Sequence, residues 1–304
     1  MLSRRDIEKE LGKGINVFPL RRDNIKENSI NLTASTYAWT LGDATVHWLG
    51  DDKFTVVDTP KPKCKRKLTI RAGSKCVFYT DRTYTTQYIL LLPHSTTLVE
   101  TEEVIAVESY IGGALHSKVG IVAKGVGHIG TMLGPGYSGH LMISLHNITD
   151  DVIAIKVGST CVSLAFDYLS TQVVRTSATV SGHVDKFAEL GVNVTEDDRV
   201  FLTADWKANV AEVREKMLKS VEYREYRADI NKNIWQEVKK YINKRNIFAV
   251  VAVVLIFVAL LCLATWADSK LLEPVWVERF WNVGCSGFVG SLMVGLYGFL
   301  KDKK

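Results

Sequence analysis

The chain has 304 residues, a formal net charge of +5 at pH 7 and a hydrophobic fraction of 47%. This length allows one or two domains with their connections. The cysteines show no CxxC pairing, which indicates neither a disulfide framework nor a zinc site. They are Cys64, Cys76, Cys161, Cys262 and Cys285. A basic cluster from Lys61 to Arg71 has few aromatic residues between its charges, so we interpret it as a solvated strand or loop and expect no nucleic-acid partner.

Residues 1–170 are predicted to form a mainly β domain. The chain opens with a short helix over Ser3 to Leu11, for which Ser3 is the N-cap. Short apolar runs then follow at roughly ten-residue intervals, separated by turn residues. They read LTIRAG, KCVFYT, YILLLP, EVIAVE, VGIVAKG, HLMISLHN, VIAIKVG and CVSLAFDYL. This spacing is typical of a β-barrel or jelly roll.

Residues 171–245 are predicted to form a helical stalk. A short helix from His183 to Leu190 ends at Gly191, and the tract from Thr203 to Arg245 contains neither glycine nor proline. Apolar residues recur there at steps of three and four, which favours one long amphipathic helix with a stripe suited to a parallel coiled coil. The stripe comprises Val210, Val213, Met217, Val221, Ile230, Ile234, Val238 and Ile242.

Residues 246–304 are predicted to form a transmembrane hairpin. Residues 247–267 and 280–300 carry no charged side chain, and each span of twenty-one residues matches the hydrocarbon core of a bilayer. Basic residues flank the hairpin on its outer ends more heavily than in the connecting loop. This asymmetry predicts that both termini and the β domain are cytoplasmic.

The second span carries small residues on one helical face, a pattern that allows transmembrane helices to approach closely. They are Gly284, Gly287, Ser291, Gly295 and Gly298. Because glycine is common in membrane helices, the pattern alone does not require association. We nevertheless favour self-association through this face.

Five segments of residues 1–168 resemble, in the correct order, the deoxycytidine triphosphate deaminase and dUTPase family. The best match is Pro135 to Asn147, which reads PGYSGHLMISLHN. The others are MLSRRDIEKEL with GINVFPL, SINL at 29–32, LP at 92–93 with ETEE at 100–103, and Gly158 to Phe166. The resemblance implies a distorted jelly-roll β-barrel that forms a homotrimer with nucleotide pockets between subunits.

The family's phosphate-binding and catalytic residues are altered in this chain. Its stretch Gly-Arg-Ser-Ser-Leu-Ala-Arg-Leu-Gly corresponds to GGALHSKVG at residues 112–120. The first arginine is thereby replaced by Gly113, the two serines by Ala114 and Leu115, and the second arginine by Lys118. An aspartate and a glutamate of the family correspond to Gly134 and Ser144, and a pyrimidine-contacting glutamine corresponds to Ser163.

Loss of these carboxylates predicts loss of the usual chemistry, because a base that activates water contributes about 10²–10⁴-fold to the rate. Ligand binding is still expected, since pockets between subunits accompany the fold. The predicted ligand-binding positions are Gly113, Ala114, His116, Ser117, Lys118, Gly134, Ser144 and Ser163. His140 and His146 share strand parity, but no spacing of three or four ligands specifies a metal site. No cofactor is expected.

We therefore expect a membrane-anchored sensor in which an inactive, trimeric β domain binds a nucleotide or a partner and controls the membrane hairpins. By analogy, such an architecture suits a bacterial antiphage effector that disrupts the cell membrane. Two alternatives stay open. One is a membrane-tethered nucleotide enzyme with a relocated carboxylate, from Glu108 or from the cluster at 100–103, and the other is a trimeric membrane scaffold.

Overall fold

The computed structural model describes residues 1–56, 64–80, 86–128, 130–173 and 183–241. Its helices are α1 Arg4–Glu10, α2 Val119–Val122, α3 Val184–Glu189, α4 Glu196–Leu202, α5 Val210–Lys219 and α6 Val221–Tyr241, with 3₁₀ turns at Arg22–Asn24 and Asp205–Ala208. Strands β1 to β7 are Ile15–Phe18, Ile30–Thr40, Ala44–Gly50, Lys53–Thr55, Arg66–Ile70, Val77–Tyr79 and Gln87–Leu91. Strands β8 to β14 are Ser95–Val107, Ile111–Ser117, Val126–His128, Met132–Leu133, Ser138–Asn147, Ile153–Lys156 and Thr160–Tyr168.

The strands form one large and two small antiparallel sheets, which confirms the mainly β class. The large sheet has the order β10-β12-β8-β2-β14-β9-β11, and β1 pairs with β8 beside this path. The small sheets have the orders β13-β7-β6 and β4-β3-β5. Long, central β8 pairs with β1, β2 and β12, so its side chains supply much of the buried core.

The predicted N-terminal helix is confirmed by α1. The Ser3 hydroxyl accepts a hydrogen bond from the Asp6 N–H, and the Asp6 carboxylate accepts one from the Ser3 N–H. This reciprocal pair is a capping box, which satisfies two backbone donors at the start of the helix. In contrast, the prediction of a strand over the run VGIVAKG was wrong. Residues 119–122 form α2, and the turn that follows contains Gly125 at φ +87°.

The prediction of a single long helix from Thr203 to Arg245 is also wrong over the residues that the structure describes, which end at Tyr241. Ser220 takes an extended conformation between α5 and α6, and its hydroxyl donates to the Met217 carbonyl and accepts from the Tyr223 N–H. A serine that satisfies both helix ends in this way favours a break over a continuous helix. Asn209 caps the start of α5 by accepting from the Ala211 N–H at 3.0 Å.

The apolar stripe of α5 packs on the β domain rather than on another stalk helix. Val213 and Met217 are fully buried, and Val213 lies in a cluster with Val104 and Ala106 of β8. Tyr223 and Tyr226 continue this docking along α6, where their hydroxyls donate to the Leu11 carbonyl and to Glu8. Val221, assigned to the same stripe from the sequence, is instead 54% exposed.

A second hydrophobic cluster attaches α3 and α4 to the large sheet. It is formed by Trp39, Leu98, Val184, Phe187, Val192 and Leu202. The rings of Trp39 and Phe187 have centroids 4.7 Å apart, and neither side chain is exposed. Helix α3 confirms the short helix predicted from His183 to Leu190.

The chain divides into two compact units, Met1–Asp229 and Ile230–Lys304. Residues 183–229, which the sequence assigned to a stalk, thus belong to the same unit as the β domain. Among the described residues, no helix combines the length and apolar character needed to cross a membrane. Both predicted spans, 247–267 and 280–300, and the small-residue face of the second lie outside the described residues.

Candidate functional site

Seven of the eight predicted ligand-binding positions lie on or beside one edge of the large sheet, formed by β9, β11 and β14. On this edge, His116 is opposite Ser163, and Gly113 is opposite both Phe166 and Leu133. Ala114, Ser117, Lys118 and Gly134 are neighbours of these positions along β9 and β11. We call this group the β9 edge. Ser144 lies elsewhere, in β12 opposite Leu98, with β8, β2 and β14 between it and β9.

The absence of a side chain at position 113 is imposed by packing. A Cβ atom at Gly113 would lie 2.3 Å from the Ala165 carbonyl oxygen, which is a backbone atom of the paired strand. The arginine that the resemblance places here would require β9 and β14 to separate. At Gly134 the situation is the reverse, since a Cβ atom there would meet no atom of the described residues within 4 Å. Packing therefore does not explain the missing aspartate at Gly134.

The polar groups of the β9 edge are cationic or neutral. His116 is exposed, whereas Ser117, Lys118 and Ser163 are half-buried. The Ser163 hydroxyl donates to the Asn31 side-chain oxygen at 2.8 Å. Partial burial lowers the pKa of Lys118, and the positive charge of Lys26 lowers it further. The half-buried Lys118 and the exposed Lys26 together place positive charge at this end of β9, which an anion would stabilise.

The carboxylates considered as relocated bases are held by other groups. Glu108 forms an ion pair with Arg214 of α5, and Glu102 pairs with Arg21 at 2.7 Å. Glu103 accepts hydrogen bonds from the Thr33 N–H at 2.9 Å and the Thr33 hydroxyl at 2.8 Å. Burial raises the pKa of Glu103. Both oxygens of Glu103 and one oxygen each of Glu102 and Glu108 are thus engaged by other groups.

Glu100 is a buried carboxylate with a hydrogen bond to only one of its two oxygens among the described residues. Its side chain is fully buried, and Oε1 contacts His183 Nδ1 at 3.0 Å. Oε2 makes no hydrogen bond to any residue that the structure describes. Burial lowers the pKa of His183, but the hydrogen bond and the charge of Glu100 outweigh burial, so this pKa is raised overall. The pair therefore favours a charged imidazolium beside a carboxylate.

Sequence reasoning missed a cavity of about 350 Å³ that lies near this pair. Its lining combines residues of the β domain with Phe201 of α4. They are Ser35, Thr36, Tyr37, Gln87, Thr101, Glu102, His140, Lys156, Val157 and Phe201. Ser35 to Tyr37 lie where the register of β2 against β8 shifts between Ala34 and Ala38, so an irregularity in β2 opens the space. We call this space the α4 cavity.

His140 and Lys207 are buried titratable groups beside Phe201. Burial lowers the pKa of His140 to about 4, with a further contribution from the charge of Lys207. Burial likewise lowers the pKa of Lys207 to about 8. The Lys207 ammonium donates to the Phe201 carbonyl at 2.6 Å and lies 3.2 Å from the centroid of the Phe201 ring. These contacts tie the end of α4 to the 3₁₀ turn at Asp205–Ala208.

Comparison with known proteins gives a family match and several matches to solved structures. A family profile described as dCTP deaminase-like matches residues 1–169. No curated protein matches. Among solved structures, the 2'-deoxycytidine 5'-triphosphate deaminase from Agrobacterium tumefaciens aligns at 13% identity and a TM-score of 0.37, covering 55% of this chain and 47% of that one.

Two phage enzymes align over a shorter part. The dUTPase of Staphylococcus bacteriophage 80alpha aligns at 13% identity and a TM-score of 0.25, covering 35% of this chain and 91% of that one. A dUTPase variant from phage phi11 of S. aureus aligns at 14% identity and a TM-score of 0.24, covering 35% of this chain and 92% of that one. The chain thus spans about half the length of the deaminase and most of the length of the phage enzymes.

Proposed function

The chain belongs to the dCTP deaminase-like family, and on that premise we propose that its β domain binds a nucleotide at the β9 edge without converting it. The observation that carries this proposal is the state of the carboxylates. Glu102, Glu103 and Glu108 are engaged by other side chains, and the family positions have become Gly134 and Ser144. Neither glycine nor serine replaces a carboxylate as a base at neutral pH.

Binding rather than catalysis suits the charges of the β9 edge. Lys118 and Lys26 are close enough for the charge of one to lower the pKa of the other. A phosphate group between them would replace repulsion with two attractive contacts, and hydrogen bonds to charged groups contribute about 1.5–3 kcal/mol each. The exposed imidazole of His116 adds a further donor on the same strand.

The binding unit is a homotrimer in this proposal. Ser144 lies three strands away from the β9 edge in the large sheet. Assembly of copies would allow Ser144 of one subunit to complete the β9 edge of another, which is the arrangement that the family resemblance implies. The exposed apolar side chains of Val119 and Met132 beside this edge would then become covered.

The C-terminal part is proposed to act in a membrane. Residues 247–267 and 280–300 are uncharged and flanked by basic residues, so we place them as a hairpin with both chain ends in the cytoplasm of a bacterial cell. Ligand binding would shift the hairpins only if the ligand prefers one conformation of the trimer. Membrane disruption in response to phage infection is the role that this architecture suits.

Turnover and binding assays test the nucleotide proposal. The purified full chain should neither deaminate dCTP nor hydrolyse dUTP above background, yet it should bind at least one of the two by calorimetry. Lys118→Ala should weaken that binding about tenfold or more, because it removes a charge-assisted contact. Lys124→Ala is the matched control, since Lys124 is an exposed lysine of the following turn. Turnover by the wild type would contradict the proposal.

The membrane proposal is tested by dye influx into cells that express the chain. Leucine at both Gly287 and Gly295 adds bulk where close helix approach is proposed, and lipid cannot replace the packing that is lost. The double variant should still insert and trimerise but should no longer permeabilise the membrane. Equal leakage from both proteins would exclude the proposed helix interface.

A further inference from the structure

The bend between α5 and α6 depends on one backbone angle. Ser220 is the only residue between the two helices, and its φ of −66° is already helical, whereas its ψ of 148° is extended. Helical hydrogen bonds reach the bend from both sides. The Ser220 N–H donates to the Lys216 carbonyl at 3.1 Å, and the Arg224 N–H donates to the Ser220 carbonyl at 3.3 Å. Rotation of ψ of Ser220 to about −42° would therefore join α5 and α6 into one helix.

Local interactions are compatible with both the bent and the continuous form. In the bent form, the Ser220 hydroxyl donates to the Met217 carbonyl at 2.8 Å and accepts from the Tyr223 N–H at 3.2 Å. In a continuous helix, backbone hydrogen bonds would satisfy these groups instead. The tract from Val210 to Tyr241 contains neither glycine nor proline, so no residue there opposes a continuous helix strongly. Contacts outside the bend therefore decide which form is populated.

Helix α5 is fixed to the sheet by apolar burial. Val213 and Met217 are fully buried, and α5 packs against β1 and β8. Water does not compensate for the loss of such apolar contacts. Helix α5 is therefore the fixed side of the bend.

Helix α6 is held on α1 by polar contacts. The Tyr226 hydroxyl donates to the Glu8 carboxylate at 2.7 Å, and the Arg227 guanidinium donates to the Glu8 carbonyl at 2.9 Å. The Tyr223 hydroxyl donates to the Leu11 carbonyl at 3.2 Å. Two of these three hydrogen bonds thus end at Glu8, which is the main acceptor for α6.

These polar contacts can be exchanged for contacts with water. Hydroxyl, guanidinium and carboxylate groups regain hydrogen bonds to water when they separate, so each contact contributes little net free energy. Release would uncover the rings of Tyr223 and Tyr226. A continuous helix would in turn place Val221, now 54% exposed, one turn beyond Met217 on the same helical face. Helix α6 is therefore the side of the bend that can leave.

We propose that Ser220 is a hinge at which α6 alternates between its docked position on α1 and a position continuous with α5, and that Glu8 holds the docked form. Hinges of this kind are single residues at the ends of elements, which absorb a large change in a backbone angle. Helix α6 leads the chain into the second compact unit, which begins at Ile230. The hinge therefore controls the direction in which the chain enters that unit. This inference does not depend on nucleotide binding at the β9 edge.

Distances between spin labels on the purified full chain test the hinge. Nitroxide labels are attached through an unnatural amino acid, so that the native cysteines stay in place. One pair joins Lys9 of α1 to Glu225 of α6, and the control pair joins Lys9 to Ala211 of α5, all of which are exposed. Docked α6 should give one short Lys9–Glu225 distance, and release should add a longer one. The Lys9–Ala211 distance should stay constant, and a change there would overturn the assignment of α5 as the fixed side.

Ser220→Ala and Ser220→Gly are matched variants of the hinge. Both remove the hydroxyl that supports the bend, but alanine favours a continuous helix and glycine opposes one. The ratio of released to docked α6 should therefore be about fivefold higher in Ser220→Ala than in Ser220→Gly. Equal ratios, or one unchanged distance in both variants, would show that the bend is rigid and would overturn the proposal.

Tyr226→Phe tests the role of Glu8. The variant keeps the ring and removes the hydroxyl, so the ratio of released to docked α6 should rise about tenfold over the wild type. Tyr168→Phe is the control, because the Tyr168 hydroxyl donates to Glu10 of the same helix α1 at 3.0 Å but belongs to β14. This control should leave the ratio unchanged. No rise for Tyr226→Phe, or an equal rise for both variants, contradicts the proposal, and the Ser220 variants decide the matter if Tyr226→Phe does not fold.

Discussion

The β9 edge and the α4 cavity contrast in how they treat polar groups. At the β9 edge, His116 is exposed and Lys118 is half-buried, so both side chains contact water. At the α4 cavity, Glu100, His140 and Lys207 are at most 2% exposed and depend on one another. The first region corresponds to the family's phosphate-binding stretch with its acidic chemistry removed. The second requires a segment that follows the family match.

The difference indicates where new function can arise in an old fold. Gly113 cannot accept a side chain without separation of β9 from β14, so the β9 edge is restricted by its own strand pairing. The α4 cavity also depends on a residue outside the sheet, because Phe201 of α4 completes a lining that is otherwise formed by residues of the β domain. Changes in a helix that packs on the outside of a sheet leave the ladder hydrogen bonds intact. Four stability measurements, the last combined with a binding measurement, sharpen this contrast.

The largest effect is expected at the cluster that holds α3 and α4 on the sheet. Phe187→Ala removes a fully buried ring that packs against Trp39. Loss of a buried phenylalanine costs about 3–5 kcal/mol, because the apolar contacts are lost and a cavity is left behind. Urea unfolding of the full chain, followed by tryptophan fluorescence, measures this cost.

Leu190→Ala is the control for this variant. Leu190 directly follows α3 and is 48% exposed, so its truncation should change the free energy of unfolding by less than about 0.5 kcal/mol. A similar small change for Phe187→Ala would mean that α3 is not part of the core. The α4 cavity would then lose its support.

The second largest effect is a loss of stability at acidic pH. Folding lowers the pKa of His140 from its usual 6.5 to about 4, because the residue is buried and Lys207 and His183 are nearby, while Glu100 opposes the shift. Between these two pKa values the unfolded chain binds the proton and the folded chain does not. Stability therefore falls as pH falls from 6.5 to 4, by about 3 kcal/mol for this group. The His140→Gln variant should therefore lose about 3 kcal/mol less stability than the wild type over the same pH interval.

His183 acts in a different pH interval and serves as an internal check. Its pKa is raised above 6.5 by Glu100, in spite of burial, so its contribution is fully present below pH 6.5 and is lost as pH rises through the folded value. His140→Gln should leave this alkaline slope in place. Parallel acid slopes for wild type and variant would show that His140 is not the titrating group.

The third effect is smaller and concerns the placement of α4. The Thr195 hydroxyl accepts a hydrogen bond from the Asp198 N–H at 3.2 Å and caps the first turn of the helix. Thr195→Ala should cost about 1 kcal/mol, within the usual range of 0.5–2 kcal/mol for such caps. Thr195→Ser retains the acceptor and should cost less. Equal losses for the two variants would assign the effect to packing instead of capping.

Periodicity predicted the elements whose pattern is local. The apolar runs around YILLLP and HLMISLHN correspond to β7 and β12, and the serine-capped opening corresponds to α1. The pattern was misleading where tertiary contacts decide the outcome. Val213 and Met217 repeat with helical spacing, as a coiled coil would require, but the surface that they cover is β8 and β1 of the same compact unit.

The α4 cavity could not be predicted in this way because it depends on irregularity. His140 and His146 share sequence parity, and a regular strand would direct both to one face. His140 is nevertheless buried, because it packs against Phe201 of α4, whereas His146 is half-buried and contacts Thr96. The shift in β2 that opens the cavity likewise has no signature in residue periodicity. Phe201 reaches this place from 61 residues further along the chain than His140.

The smallest stability effect is expected at the β9 edge. Lys118→Ala removes an ammonium group. Burial and the charge of Lys26 lower the pKa of Lys118, so folding does not favour its charged form. The free energy of unfolding should change by less than about 0.5 kcal/mol, and it should increase if the repulsion from Lys26 is relieved. The same variant should weaken triphosphate binding tenfold or more. A residue that leaves stability unchanged but reduces affinity serves a ligand, whereas a large loss of stability would make Lys118 structural and leave the β9 edge without its anion-binding role.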